Sequence, residues 1–211
     1  LVGSEMCIRD SSNDSYVNFH NSPRAQPRTR TMASAYESLS VEELVDKLEE
    51  ASLQGDAETV KAIASAGADV ADDENKTALY TAAENGNESA VKALIEAGAD
   101  VNKATDSEMF PTALFQAVDE GHEAIVKMLI DAGADLDAVN DDGSTALALA
   151  TTRDKETEKQ ETEAIAKMLI AAGADLNKAR TDGGATPLFA AAAWGQEAIV
   201  KALIDAGADV N

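Results

Sequence analysis

Across 211 residues the chain carries 17 Lys and Arg against 39 Asp and Glu, a formal charge of −22 that repels polyanions and excludes nucleic acid and anionic membrane surfaces as partners. Apolar residues make up 45% of the chain and aromatic ones only 4%. That combination excludes an acidic disordered tail and requires a core of small aliphatic side chains, the composition of close-packed helices.

From the N-terminus, residues 1–11 (LVGSEMCIRDS) resemble translated sequencing-adapter sequence, and the polar stretch that follows to Arg30 has neither a helical nor a strand period. Met32 is the expected natural start. Setting residues 1–31 aside removes Arg9, Arg24, Arg28, Arg30, Glu5, Asp10 and Asp14 and leaves 13 basic and 36 acidic residues, a charge of −23. The expected organisation is therefore a leader over 1–31 and one repeat domain over 32–211. The first unit, about 40–70, opens with Ser40 and Glu43 at capping-box spacing, followed by an apolar stripe of Val41, Leu44, Val45 and Leu48. It is expected to cap the array.

The dominant pattern is self-similarity. Gly-Ala-Asp begins at Gly67, Gly98, Gly133, Gly173 and Gly207, at intervals of 31, 35, 40 and 34 residues. Ahead of the last four stand TALY from Thr77, TALF from Thr112, TALA from Thr145 and TPLF from Thr186, and a further glycine recurs at Gly55, Gly86, Gly121 and Gly195. Each threonine is placed to cap a short helix, and each Gly-Ala-Asp glycine to end one in the left-handed conformation. Leu79, Ala82 and Ala83 share one helical face, as do Val91, Leu94 and Ile95 on the next helix, and neither face is large enough to be buried alone. The resulting units lie at about 72–104, 107–139, 140–179 and 181–211.

These motifs, with second helices reading VKALIEAGADVN, IVKMLIDAGADLD, IAKMLIAAGADLN and IVKALIDAGADVN, resemble the ankyrin repeat over roughly Ser40 to Asn211. The resemblance implies an all-α repeat solenoid of helix-turn-helix units with β-turn fingers. It also implies a non-catalytic protein-binding module that uses finger tips and the exposed side of the first helices. The family's T-P-L-H histidine, which joins hydrogen bonds between repeats, is replaced by Tyr80, Phe115, Ala148 and Phe189, so this array is expected to rely more on packing. Asn102 and Asn177 resemble hairpin asparagines that asparaginyl hydroxylases modify in ankyrin proteins, although the residue also serves the turn itself.

Departures from the period individualise the chain. The finger before the second unit is two residues short, and the finger NKATDSEMFPT is two residues long, with Met109 and Phe110 at its tip. Phe110 either folds back onto the helices or contacts a partner. Seven extra residues within TTRDKETEKQETEA extend the helices of the fourth unit or form a solvated loop. The last unit is expected to leave apolar surface at Leu203 and Ile204, a route to association of an otherwise monomeric protein, and the chain reads as a fragment.

Enzyme chemistry finds no support. A single cysteine, Cys7, excludes an intrachain disulfide and a thiolate zinc cluster, and His122 sits at a helix-joining position. Asn140, Asp141 and Asp142 lack the glycine and glutamate of a calcium loop. No cofactor or metal is expected. No run reaches the length of a membrane span and no signal peptide is present, so the expected setting is cytoplasmic or nuclear.

Binding residues are carried over position by position from the resemblance. Those preceding the between-helix glycine, or its equivalent, are Leu53 and Gln54, Glu84 and Asn85, Asp119 and Glu120, Thr152 and Arg153, and Ala193 and Trp194. Projecting finger residues are Asp73, Glu74, Lys76, Glu108, Met109, Pro111, Asp141, Asp142 and Ser144. Trp194, the single tryptophan, is the expected anchor, with Arg153 placed to stack on it. The expected partner is a protein with a basic or mixed apolar and basic surface. The alternative is the recognition arm of a larger enzyme or channel whose functional domain lies past Asn211.

Overall fold

Four times along the chain a threonine hydroxyl accepts from the backbone N–H three residues on: Thr77 from Tyr80 at 3.2 Å, Thr112 from Phe115 at 3.5 Å, Thr145 from Ala148 at 3.2 Å and Thr186 from Phe189 at 3.2 Å. Each bond satisfies an orphan donor of a helix's first turn. In the computed structural model Tyr36 and residues 41–65, 77–152, 159–181 and 183–210 are described, all within the unit Thr31–Asn211. The expectations for residues 1–31, Ser40, Gly67, Asp73, Glu74, Lys76 and Arg153 lie outside the described residues.

Ten helices are described as such: α1 (Val41–Gln54), α2 (Ala57–Ser65), α3 (Ala78–Glu84), α4 (Glu88–Glu96), α5 (Ala113–Glu120), α6 (Glu123–Asp131), α7 (Ala146–Thr152), α8 (Lys159–Ala172), α9 (Pro187–Ala193) and α10 (Glu197–Asp205). Odd-numbered helices stack on odd and even on even, with each odd helix also packed on the even helix that follows it. The result is a two-layer solenoid in which every unit touches its neighbours. Leucine and alanine fill the seam: Leu79, Leu114 and Leu147 from the inner layer and Leu94, Leu129, Leu169 and Leu203 from the outer layer are all buried. The alanines beside them, such as Ala82, Ala83, Ala117 and Ala191, are equally inaccessible and let the layers approach closely.

The recurrent glycines end helices. At Gly98 φ is +89°, its N–H donates to Ile95 O and the Ala99 N–H to Leu94 O, both at 3.0 Å. This pair of bonds satisfies the terminal carbonyls of α4 and needs a residue without a Cβ. The same exit recurs after α6, α8 and α10. Between helices Gly86 has a second constraint: a Cβ there would lie 2.9 Å from His122 Cε1 of the following unit.

Extra residues in the fourth unit lengthen its outer helix. α8 has 14 residues against nine in α4, α6 and α10, with the growth mainly at its N-terminal end.

Three expectations are corrected. Tyr80, in place of the family histidine, is buried and its hydroxyl donates to Gln116 Oε1 of the next unit at 2.8 Å, so one polar tie between units survives the replacement. Leu203 faces inward and is fully buried, because it occupies the same seam position as Leu94 and Leu129. Ile204 is exposed as expected, together with Phe189, Trp194 and Val210 of the same unit. Ser144, expected to project, is buried, because its N–H closes the finger turn onto Asn140 Oδ1 at 2.9 Å.

Candidate functional site

Along one edge of the solenoid the fingers are tied to one another. The Asn102 side chain accepts from the Asp135 N–H at 2.7 Å, Asp137 from the Asp175 N–H at 2.8 Å and Asn177 from the Asp209 N–H at 2.8 Å, so the second, third and fourth units each strap the next. Within the straps, Asp100, Asp135 and Asp175 each accept the N–H two residues on, a local turn that competes with helix continuation. The Asn102 and Asn177 side chains thus tie one unit to the next, while the turns that carry them are closed by Asp100 and Asp175. Nearer the tips, the Asp141 N–H donates to Glu108 O at 3.1 Å, Asn140 Nδ2 to Met109 O at 3.4 Å and the Thr181 N–H to Asp142 O at 2.9 Å.

The long finger separates its two apolar residues. Phe110 is half-buried and packs against the core, whereas Met109 is 60% exposed. Pro111 is half-buried beside them. Glu108, Asp141 and Asp142 are exposed, and Asp142 meets the Arg180 guanidinium at 3.5 Å. Val139, not singled out from the sequence, is 42% exposed at the start of the next finger. No motif marks it, since a valine before a finger reads as an ordinary strand-former.

At the inner-layer ends, Asn85, Glu120 and Trp194 occupy equivalent positions and all are exposed, while Glu84 and Asp119 are half-buried. Asn85 Nδ2 donates to Thr81 O at 2.8 Å, so its side chain is drawn back onto α3. Gln116 Nε2 donates to Glu120 Oε1 at 3.2 Å, which links the buried Tyr80–Gln116 bond to a surface carboxylate. His122 Nε2 lies 3.3 Å from Glu84 O, bridging units. Trp194 caps α9 through its backbone N–H, 3.0 Å from Ala190 O, and 51% of its surface remains exposed. Leu53, Gln54 and Ala193 are exposed, whereas Thr152 turns back to donate to Leu149 O at 3.0 Å.

Among the described residues no group of three or more His, Cys, Asp or Glu side chains is placed to hold a metal ion. Asn140, whose side chain closes its own turn, is engaged as a structural acceptor. Among the same residues no helix is long and apolar enough to cross a membrane. One resolved electrostatic perturbation lies at the start of α2, where the Thr59 hydroxyl and N–H donate to Asp56 and lower its carboxyl pKa.

A stack of capped helix pairs with tied fingers defines a helical repeat solenoid. The family model for ankyrin repeats in three copies matches residues 48–140 and 114–211, and the chain belongs to the ankyrin repeat family. No curated protein matches it. Ankyrin repeats are in general protein-interaction modules, and the family is in general non-catalytic.

Proposed function

We propose that the protein is a non-catalytic acidic scaffold that binds a protein with a basic or mixed apolar and basic surface through its fingers and inner-helix ends. The observation that supports this most directly is a series of exposed acidic positions, Glu108, Glu120, Asp141 and Asp142, with Met109 and Trp194 exposed on the same solenoid. Carboxylates of one sign steer a cationic partner and fix its orientation, while large apolar side chains supply the desolvated contact that holds it. Glu84 and Asp119, half-buried beside the outermost groups, add to the field. Asn85 contributes contact area and no charge. Neither a cofactor nor a metal is needed for such a role, and a cytoplasmic monomer suffices.

Capture from cell lysate by immobilised protein tests this reading, with bound proteins quantified by mass spectrometry. Trp194→Ala and the pair Asp119→Asn with Glu120→Gln are expected to lower recovery of basic proteins while leaving circular dichroism unchanged. Raising ionic strength from about 0.05 to about 0.5 M is expected to do the same, because screening shortens the reach of exposed charges. Folded variants that recover the same proteins in the same amounts would refute it.

A further inference from the structure

We propose that the fingers at residues 104–111 and 139–144 form one docking site for a peptide segment that presents a single bulky apolar side chain between lysines or arginines. The inference rests on the scaffold reading and gives it a location. Isolated apolar side chains on a protein surface are commonplace, but Met109 and Val139, 60% and 42% exposed, lie on neighbouring loops hydrogen-bonded to each other.

Met109 is exposed on a finger closed by its own hydrogen bonds. The Thr105 N–H donates to Pro111 O at 2.8 Å, the Ser107 N–H to Thr105 Oγ1 at 3.2 Å and the Phe110 N–H to Ser107 Oγ at 3.1 Å. These bonds, with Phe110 inserted against the core, fix the loop so that Met109 is held outward. The adjoining finger is closed by Asn140, whose backbone carbonyl accepts from the Gly143 N–H at 2.9 Å and whose side chain accepts from the Ser144 N–H at 2.9 Å. Two loops braced in this way lose little conformational freedom when a partner arrives.

Charge then selects the occupant. Glu108 adjoins Met109 in sequence and Asp141 lies two residues after Val139; the Glu108 carbonyl accepts from the Asp141 N–H, which brings one exposed acidic residue from each finger together beside the loops that carry the apolar pair. Asp106 lies on the same long finger, and Lys103 precedes it. An acidic or phosphorylated segment is repelled here. A segment with cations flanking one apolar side chain pairs its charges with Glu108 and Asp141 and covers Met109 and Val139, removing apolar surface from water on both sides.

Three fluorescein-labelled peptides test the assignment: Ser-Lys-Lys-Ser-Leu-Ser-Lys-Lys-Ser, its Leu-to-Ala counterpart, and its Lys-to-Glu counterpart. Binding is read by fluorescence polarisation at low salt, and by the Met109 methyl resonance. The leucine peptide is expected to bind about fivefold tighter than the alanine peptide and to shift that methyl signal, with the glutamate peptide inert. Met109→Ser with Val139→Ser, both at exposed positions, is expected to erase the leucine preference without changing the melting temperature. Equal affinity for the leucine and alanine peptides, or a preference that survives in the double variant, overturns the site. A preference lost only in Trp194→Ala overturns this site and leaves the scaffold reading standing. No binding of either lysine peptide overturns both.

Discussion

Replacing Tyr80 by phenylalanine removes a buried side-chain tie between the second and third units. The ring keeps its place in the seam, so the perturbation is the loss of a 2.8 Å hydroxyl donor to Gln116 Oε1, with both residues buried. An ordinary hydrogen bond contributes about 1 kcal/mol net, but a buried amide oxygen left without its donor carries a desolvation penalty, so the expected loss is about 1–3 kcal/mol. In a solenoid that loss falls on a single interface between neighbours, and the N-terminal units are expected to unfold first. Gln116→Leu alone removes the acceptor of the Tyr80 hydroxyl instead, and the double variant removes both polar groups. Urea denaturation of the four proteins, followed by circular dichroism, closes a double-mutant cycle whose expected coupling is about 1–2 kcal/mol. Thermal midpoints move by roughly 2–4 °C for each kcal/mol in a chain of this size. A Tyr80→Phe variant within about 0.3 kcal/mol of the parent, with a coupling near zero, would show that the bond contributes nothing and that packing alone joins these units.

Other outcomes follow from position within the repeat. Phe115 and Phe189 occupy the same place in the motifs of the third and fifth units, yet they are 1% and 65% exposed; Phe115→Ala is expected to cost about 3–5 kcal/mol and Phe189→Ala less than about 0.5 kcal/mol, read by the same denaturation. Equal losses would mean that Phe189 is covered in solution. The Asp56 carboxyl, held below the ordinary aspartate range by the Thr59 hydroxyl and N–H, is expected to titrate below its unfolded value in an NMR pH series. Its depressed pKa means that its stabilisation is present above the unfolded pKa and fades as pH falls through the folded one, so Asp56→Ala should differ from the parent at neutral pH and converge with it in strong acid. A midpoint at or above the unfolded value would remove the basis for that stabilisation.

The punctuation of the fold was legible because each signal acts locally. Thr77, Thr112, Thr145 and Thr186 cap within one turn, and the glycine after each outer helix closes that helix's own carbonyls. What stayed hidden depends on residues a whole unit away or on a loop without a period. The partner of Tyr80 lies 36 positions on, with no pattern connecting a tyrosine to that glutamine. Whether Met109 or Phe110 would turn inward was decided by hydroxyls of Thr105 and Ser107, in a stretch where no alternation sets sidedness. Leu203 and Ile204 are neighbouring isomers of similar hydropathy, and the helical seam separates them into one buried and one half-exposed side chain. The acidic inner-helix ends were found by position, but the exposure of Val139 was not, since nothing in its sequence context sets it apart from a buried valine.

The carboxamide and carboxylate straps have a consequence for how such a chain changes over generations. They span 33, 38 and 32 residues, yet their lengths stay at 2.7–2.8 Å. The longest of the three passes over the enlarged fourth unit, where α8 has grown at the end remote from the strap. Register along that edge is therefore counted in units and not in residues. Insertions between paired helices are absorbed sideways, and duplication or loss of a whole unit rejoins the same asparagine or aspartate to the same backbone N–H, so the array can lengthen or shorten without renegotiating its edge.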